Sequence, residues 1–368
     1  MMQVLRKIYT DKTFLVTLAL ALIAILFGHV APGDIDLKTI FSLLALIIVV
    51  SVYEQLHILA YIANTIVAKC RSTRDIIGVM LLFSFVGAML VTNDVAILTL
   101  VPIFFNISRQ VHISKIVTIS LLTIYANLGS AITPFGNPQN LYLASYYHLS
   151  LPTFMALSLP MGLIGLASLF LVTCLFPARP ITNMQTTTIQ INAKKVRWLL
   201  LVTVIVLLGI LSVLPVWTAV VASLLAASLL DKRVLAQVDY GIILTFINFF
   251  LIVGAISRVP AVHHLLSATT STTLNTFFTS VLSSQVISNV PAAVLLSKFT
   301  HHVAGLYLGV TVGGLGTLIA SLANLLALRQ YHLFAHDGSS MQFFKTFTWL
   351  NSVYLVVFLL IGSLLLIF

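Results

Sequence analysis

Charge is scarce in this chain. Asp and Glu number 9 and Lys and Arg 19 among 368 residues, so only 8% of the sequence is charged. With 60% of residues hydrophobic and a mean hydropathy of +1.10, there is too little polar surface to coat a soluble globule of this size. No polar stretch is long enough for a separate soluble domain. The formal charge of +10 does not point to nucleic acid, because the Lys and Arg stand in short clusters between apolar runs, where positive-inside orientation accounts for them. Cysteine is almost absent: Cys70 and Cys174 lie too far apart in sequence to suggest a disulfide framework or a metal site. Hydrolase signatures of the His-Glu-x-x-His, Gly-x-Ser-x-Gly or paired-Asp type are missing, which argues against an intramembrane enzyme. Gly314-Leu315-Gly316 has no preceding strand pattern and no following Lys-Ser/Thr, so it is not a nucleotide loop.

Long apolar runs are what the chain does have. They recur from end to end at the length that crosses a hydrocarbon core of about 30 Å, which requires helices and excludes a barrel. Met1 to Lys12 carries Arg6, Lys7 and Lys12 ahead of the first run and imitates a signal peptide, but no clear small-residue cleavage site follows. A retained first helix with a cytoplasmic N-terminus is expected. The spacing predicts an all-α polytopic membrane protein of nine full spans plus two re-entrant hairpins. Residues 1–177 form the first half, 178–197 a cytoplasmic linker and 198–368 the second half. The hairpins fall at about 76–106 and 273–298, and each is followed by a broken helix, at about 116–147 and 303–328. Both flanks of the first hairpin are basic, whereas counting spans puts the second hairpin's mouth on the outer side, so the halves are expected to be inverted copies. Histidine pairs at His263-His264 and His301-His302 flank the second hairpin and read as interfacial solvation.

Four interruptions of these runs carry the chemistry. Thr92-Asn93-Asp94 breaks the first hairpin and Ser288-Asn289-Val290-Pro291 the second. The following helices break at Gly129 to Asn140 and at Gly313 to Asn324. A shift of 184 residues matches Gly129 to Gly313, Thr133 to Thr317 and Asn140 to Asn324. Irregular backbone at membrane depth is tolerated only where it is buried or lines a cavity. Interrupted helices expose N–H groups that suit anions and C=O groups that suit cations. Thr92, Asn93, Ser288 and Asn289 can cap such ends or present oxygens to a small cation, and Pro291 is expected to push Val290 out of helical geometry. Thr133, Gly136, Asn137, Asn140, Gly316, Thr317 and Asn324 complete the candidate substrate and ion site. Only Glu54 and Asp94 place a carboxylate within apolar stretches. Asp94, at a hairpin tip, can ligate Na+, carry a proton or cap the returning arm; packing and coupling roles both stay open for Glu54.

A hydroxyl-Asn hairpin tip, a following Gly-rich broken helix ending in Asn140 or Asn324, and a second copy of both resemble the ion transporter superfamily. Within it, the chain is similar to the citrate-transporter-like group, which joins divalent-anion/sodium symporters, arsenite permeases and sodium/proton antiporters. The resemblance covers nearly the whole chain from about Leu37. In divalent-anion symporters both tips read Ser-Asn-Thr and bind sodium and substrate carboxylates. Thr92-Asn93-Asp94 and Asn289-Val290-Pro291 look more like the arsenite and sodium/proton branches. The resemblance implies a secondary transporter in the cell membrane that moves a small anion or oxyanion, such as a di- or tricarboxylate or arsenite, coupled to Na+ or H+ by alternating access. The alternative is a sodium/proton antiporter that uses Asp94. Sodium is expected at Asn93, Asp94, Ser288 and Asn289, with no further cofactor. Expected partners are the anion, the lipid bilayer and a second copy of the chain, without nucleic acid.

Overall fold

The computed structural model of the protein describes residues 8–181, 189–230, 232–335 and 339–367. The basic flank at Arg6 and Lys7 and positions 182–188 of the expected linker lie outside the described residues. Among the described residues, regular structure is helical apart from one isolated antiparallel bridge between Ser72 and Pro180. In the first half the helices are α1 (Lys12–Phe27), α2 (Leu37–Gln55), α3 (Ile58–Val67), α4 (Thr73–Val91), α5 (Asn93–Ser108), α6 (Lys115–Ser130), α7 (Pro138–Tyr146) and α8 (Leu151–Cys174). The second half holds α9 (Ala193–Ile210), α10 (Val216–Leu230), the single turn α11 (Val234–Gln237), α12 (Tyr240–Ser257), α13 (Pro260–Thr269), α14 (Thr273–Ile287), α15 (Asn289–Leu296), α16 (Val303–Gly313), α17 (Leu322–Phe334) and α18 (Ser340–Ile367).

The few acids are spent mainly at helix ends. Asp11 accepts N–H bonds from Thr13 and Phe14 at the start of α1, Asp36 caps α2 through Thr39, Asp239 caps α12 through Gly241, and Asp75 closes a capping box with Ser72 on α4. Each satisfies N–H groups that the helix itself cannot. Asp34, in the 3-10 turn Pro32–Asp34, holds Arg258 at the end of α12 through two bonds of 2.6 and 2.8 Å. The hydrogen bond from Arg258 is the main reason the Asp34 carboxyl titrates below the usual carboxylate range.

Helices α2, α4, α8, α12 and α18 are long and apolar enough to cross a membrane. Large apolar side chains stay exposed on the outward faces: Leu163, Phe170 and Leu171 on α8, Leu201 and Val204 on α9, Leu225 and Leu229 on α10, and Val356, Leu360 and Leu364 on α18. A soluble protein does not leave so much apolar surface bare, and lipid is its natural solvent. The chain is a multi-pass helical membrane protein.

Inside this belt, α1 packs on α12, and α2 on α10, which also packs on α9. The two arms of each interrupted unit pack on each other, α4 on α5 and α14 on α15, and the first arm of each lies along the helix that follows, α4 on α6 and α14 on α16. The halves also exchange partners, since α7 packs on α15 and α17 packs on α5. The returning arm of each tip thereby lies against the helix that follows the other half's break.

Candidate functional site

The first interruption is a single residue. Thr92, with φ 88° and ψ 151°, ends α4 and starts α5, a conformation uncommon for a residue with a Cβ. What holds it is a set of bonds to the break between α6 and α7. Asn93 N–H donates to the Gly136 carbonyl at 3.2 Å, and the Thr133 hydroxyl donates to the Met89 carbonyl, at the end of α4, at 2.7 Å. The break is closed by its own amides. Asn137 caps α7 by accepting from Asn140 N–H at 2.9 Å, and its Nδ2 donates to Ser130 Oγ at 3.0 Å. Asn140 Nδ2 bridges the carbonyls of Ser130, Ala131 and Thr133 at 3.3, 2.9 and 3.0 Å, so one fully buried side chain ties the end of α6 to the start of α7.

The second interruption repeats four of these bonds. Ser288 has φ 73° and ψ 154°. Asn289 N–H donates to the Ala320 carbonyl at 2.9 Å, the Thr317 hydroxyl to the Gln285 carbonyl at 3.3 Å, and Asn324 Nδ2 to the carbonyls of Gly314 and Thr317 at 3.1 and 2.9 Å. In these four bonds the partners within the breaks are related by the 184-residue shift, Ser130 to Gly314, Thr133 to Thr317, Gly136 to Ala320 and Asn140 to Asn324, whereas the Asn137 cap has no counterpart at Ser321. In the tips a shift of 196 residues applies, relating Met89 to Gln285 and Asn93 to Asn289. Val290 and Pro291 lie inside the first turn of α15 rather than unwinding it. An N–H at that point has no helical partner in any case, so proline is accommodated; the positive φ at Ser288 makes the break.

Gly136 and Gly316 serve the backbone. A Cβ at Gly136 would collide with the Ser130 carbonyl, and Gly316 holds φ +98° at a place where a Cβ would collide with Gln285 Oε1. Gln285, which the sequence pattern did not single out, fills the second break. Its Nε2 donates to Gly313 and Leu315 carbonyls at 2.8 and 3.0 Å, and its Oε1 accepts from Thr317 N–H at 3.0 Å.

Asn127 was also missed. It lies on α6, buried, one turn before the break. Its Oδ1 accepts from Asn93 Nδ2 at 2.9 Å and from Ser321 Oγ at 3.0 Å, and its Nδ2 donates to Asn324 Oδ1 at 3.0 Å. One amide therefore joins the first tip to the second break. In the opposite sense, Tyr307 on α16 donates its hydroxyl to the Ala131 carbonyl in the first break at 2.7 Å. The signal available for both was a lone polar group inside an apolar run, which at membrane depth is rarely idle.

The twelve sequence-derived residues thus gather around the two tips and two breaks, linked through Asn127. They differ in how far their polar atoms are engaged. Thr133, Thr317, Asn137 and Asn324 are bonded within the breaks. Asp94 follows Asn93, whose Oδ1 accepts the Asp94 N–H at 3.0 Å; the Asp94 Oδ1 is buried and has no hydrogen-bond partner in the protein. An ionised carboxylate in that condition is costly, so it requires a proton or a cation.

The chain was compared with known proteins. Residues 2–305 match the family model described as "Citrate transporter". An uncharacterized transporter of Methanocaldococcus jannaschii is 32% identical over 328 residues, covering 86% of this chain and 88% of that one. The inner membrane protein YbiR of Escherichia coli K12 is 30% identical over 305 residues, or 81% of each chain. Among solved structures, the YdaH transporter of Alcanivorax borkumensis superposes with a TM-score of 0.55 over 99% of this chain and 97% of that one, at 12% identity.

Proposed function

Since this chain belongs to the citrate transporter family, and is a membrane transporter rather than an enzyme, we propose that it moves a small anion or oxyanion by alternating access, driven by Na+ or H+. The substrate class is a di- or tricarboxylate, arsenite or a similar oxyanion. The observation that carries this reading is the recurrence of one hydrogen-bond set in both halves, meeting at Asn127. Two interrupted helix pairs held in the same way and interlocked at one buried point are what a midplane site between repeats requires. On this reading the halves are inverted repeats, with nine full spans, two re-entrant hairpins and a cytoplasmic N-terminus. The protein sits in the cell membrane, as the name of the E. coli relative supports, and works alone or as a homodimer.

No Lys or Arg occupies either tip or break. An anion must then be held by helix N-termini and amides, with Na+ at Asn93, Asp94, Ser288 and Asn289 balancing its charge. The test is flux into vesicles reconstituted with the protein, using labelled citrate, succinate, arsenite, sulfate and phosphate under imposed Na+ or H+ gradients. Uptake of one of them above protein-free vesicles is expected. A second reading, sodium/proton antiport, is favoured by the unpartnered Asp94 Oδ1. Gradient-driven Na+ exchange without movement of any of the anions would select it.

A further inference from the structure

The bond between Asn127 and Asn324 has a counterpart position in the other half, and there the bond is missing. The 184-residue shift that relates Asn140 to Asn324 also relates Asn127 to Thr311. Asn127 Nδ2 donates to Asn324 Oδ1 at 3.0 Å, whereas Asn140 Oδ1 has no hydrogen-bond partner in the protein and Thr311 Oγ1 has only a loose contact with the Tyr307 hydroxyl. Neither can reach water, as Asn140 is 0% and Thr311 4% exposed. Two buried oxygens so poorly partnered at related positions in the membrane interior are costly unless something binds them.

The side chains that carry these two oxygens stand on neighbouring helices around one carbonyl. The Ala131 carbonyl accepts from Asn140 Nδ2 at 2.9 Å and from Tyr307 Oη at 2.7 Å. Thr311 lies one turn beyond Tyr307 on the same face of α16, and α16 packs on α7, which carries Asn140. Threonine is shorter than asparagine and presents an oxygen where Asn127 presents an N–H donor. The end of α6 directs its C-terminal carbonyls here, a region of partial negative charge. No basic side chain is available to answer it, since α7 and α16 contain neither Lys nor Arg and α6 has only Lys115 at its far end.

We propose that Asn140 Oδ1 and Thr311 Oγ1 are ligands of a monovalent cation of sodium's size, held between α7 and α16 beside the end of α6. This site is distinct from the tip residues Asn93, Asp94, Ser288 and Asn289, and it rests on reading the chain as an ion-coupled carrier. It makes the halves functionally unequal: the place beside Asn324 that the Asn127 amide fills is taken, beside Asn140, by an ion.

The test is thermal unfolding of the full chain in lipid nanodiscs, titrated with sodium chloride against choline chloride at constant ionic strength. Sodium is expected to raise the melting temperature saturably. Thr311→Val removes one ligand oxygen at nearly constant volume and should weaken the apparent sodium affinity by about tenfold, while Thr311→Ser keeps it. Thr311→Asn supplies the donor that Asn127 supplies in the other half. It should abolish the part of the sodium response that Thr311→Val weakens, leaving that of the tip residues, while holding or raising the melting temperature in choline, a result that loss of fold cannot imitate. Equal responses to sodium and choline in the unmodified protein would overturn the site, as would identical sodium titrations for it and Thr311→Val. Flux of labelled citrate and arsenite separates this from the carrier reading. Flux with a sodium titration unmoved by Thr311→Val removes the site and leaves the carrier, whereas a sodium response that Thr311→Val weakens, without flux of any of the anions named above, leaves the site and removes the anion carrier.

Discussion

The two halves share a frame and differ in what they place on it. Both tips turn on a positive-φ hydroxyl residue, and both seat the following Asn N–H on a carbonyl of the next break. Yet the arms of the first unit run 19 and 16 residues and those of the second 15 and 8. Only the first tip carries an acid, and only the second break is filled by a glutamine. The shared frame is one backbone bond and three made by side chains that both halves keep, Thr133 with Thr317 and Asn140 with Asn324. The remaining side chains are free to divide the work: charge at Asp94, closure of the second break at Gln285 and Gly316.

The sharpest way to break the comparison is to remove its unique charge. Asp94→Asn should cut gradient-driven flux by about a hundredfold or more, with folding preserved, because the amide keeps the shape but can neither release a proton nor neutralise Na+. Flux in reconstituted vesicles checks this, and an unchanged rate would remove Asp94 from coupling; the cap role expected for it does not apply, since Thr92 is the N-cap of α5 and Asp94 lies within the helix. Asn127→Ala ranks next. It leaves Asn93 Nδ2 and Asn324 Oδ1 without their partner and should cost about 2–4 kcal/mol, read as a lower melting temperature in nanodiscs. Gln285→Met imports the residue that the first half has at Met89. Two carbonyls and one N–H lose a partner, so a loss of about 1–3 kcal/mol is expected by the same measurement, unless the second break can relax to the geometry of the first.

The smallest effect belongs to the tie between a first-half loop and a second-half helix. Asp34 has a depressed folded pKa, so its bond to Arg258 stabilises fully above the ordinary carboxylate pKa of about 4 and is lost as pH falls through the lower folded value. Melting temperatures measured from pH 7 down to pH 3 should fall more steeply for the unmodified protein than for Asp34→Asn, which starts lower. Arg258 is 38% exposed, which keeps the gain modest.

Much of this arrangement was legible in the sequence. Gly129 with Gly313 and Asn140 with Asn324 marked the breaks, because glycine and amides have few other reasons to interrupt apolar runs. The tips were legible for the same reason. Asn127 and Gln285 were not, since a single polar residue in a helix says that it needs a partner without saying where. The tips obey a shift of 196 and the breaks one of 184, so no single offset in the sequence aligns both. Pro291 misled because proline is read as a breaker, although its place in the first turn of α15 costs no hydrogen bond.

The Asn127 bridge also has a consequence for how the chain is made. Asn324 follows Asn127 by 197 residues, which at roughly 5–20 residues per second is a wait of about 10–40 s on the ribosome. During that interval Asn93, 34 residues earlier, is the nascent chain's available partner for this amide. The first half therefore enters the bilayer holding an unfinished polar seam, and α5 waits in the same way for α17. Insertion of the second half is what completes the first, so a chain truncated after α8 should be a substrate for membrane quality control rather than half a transporter.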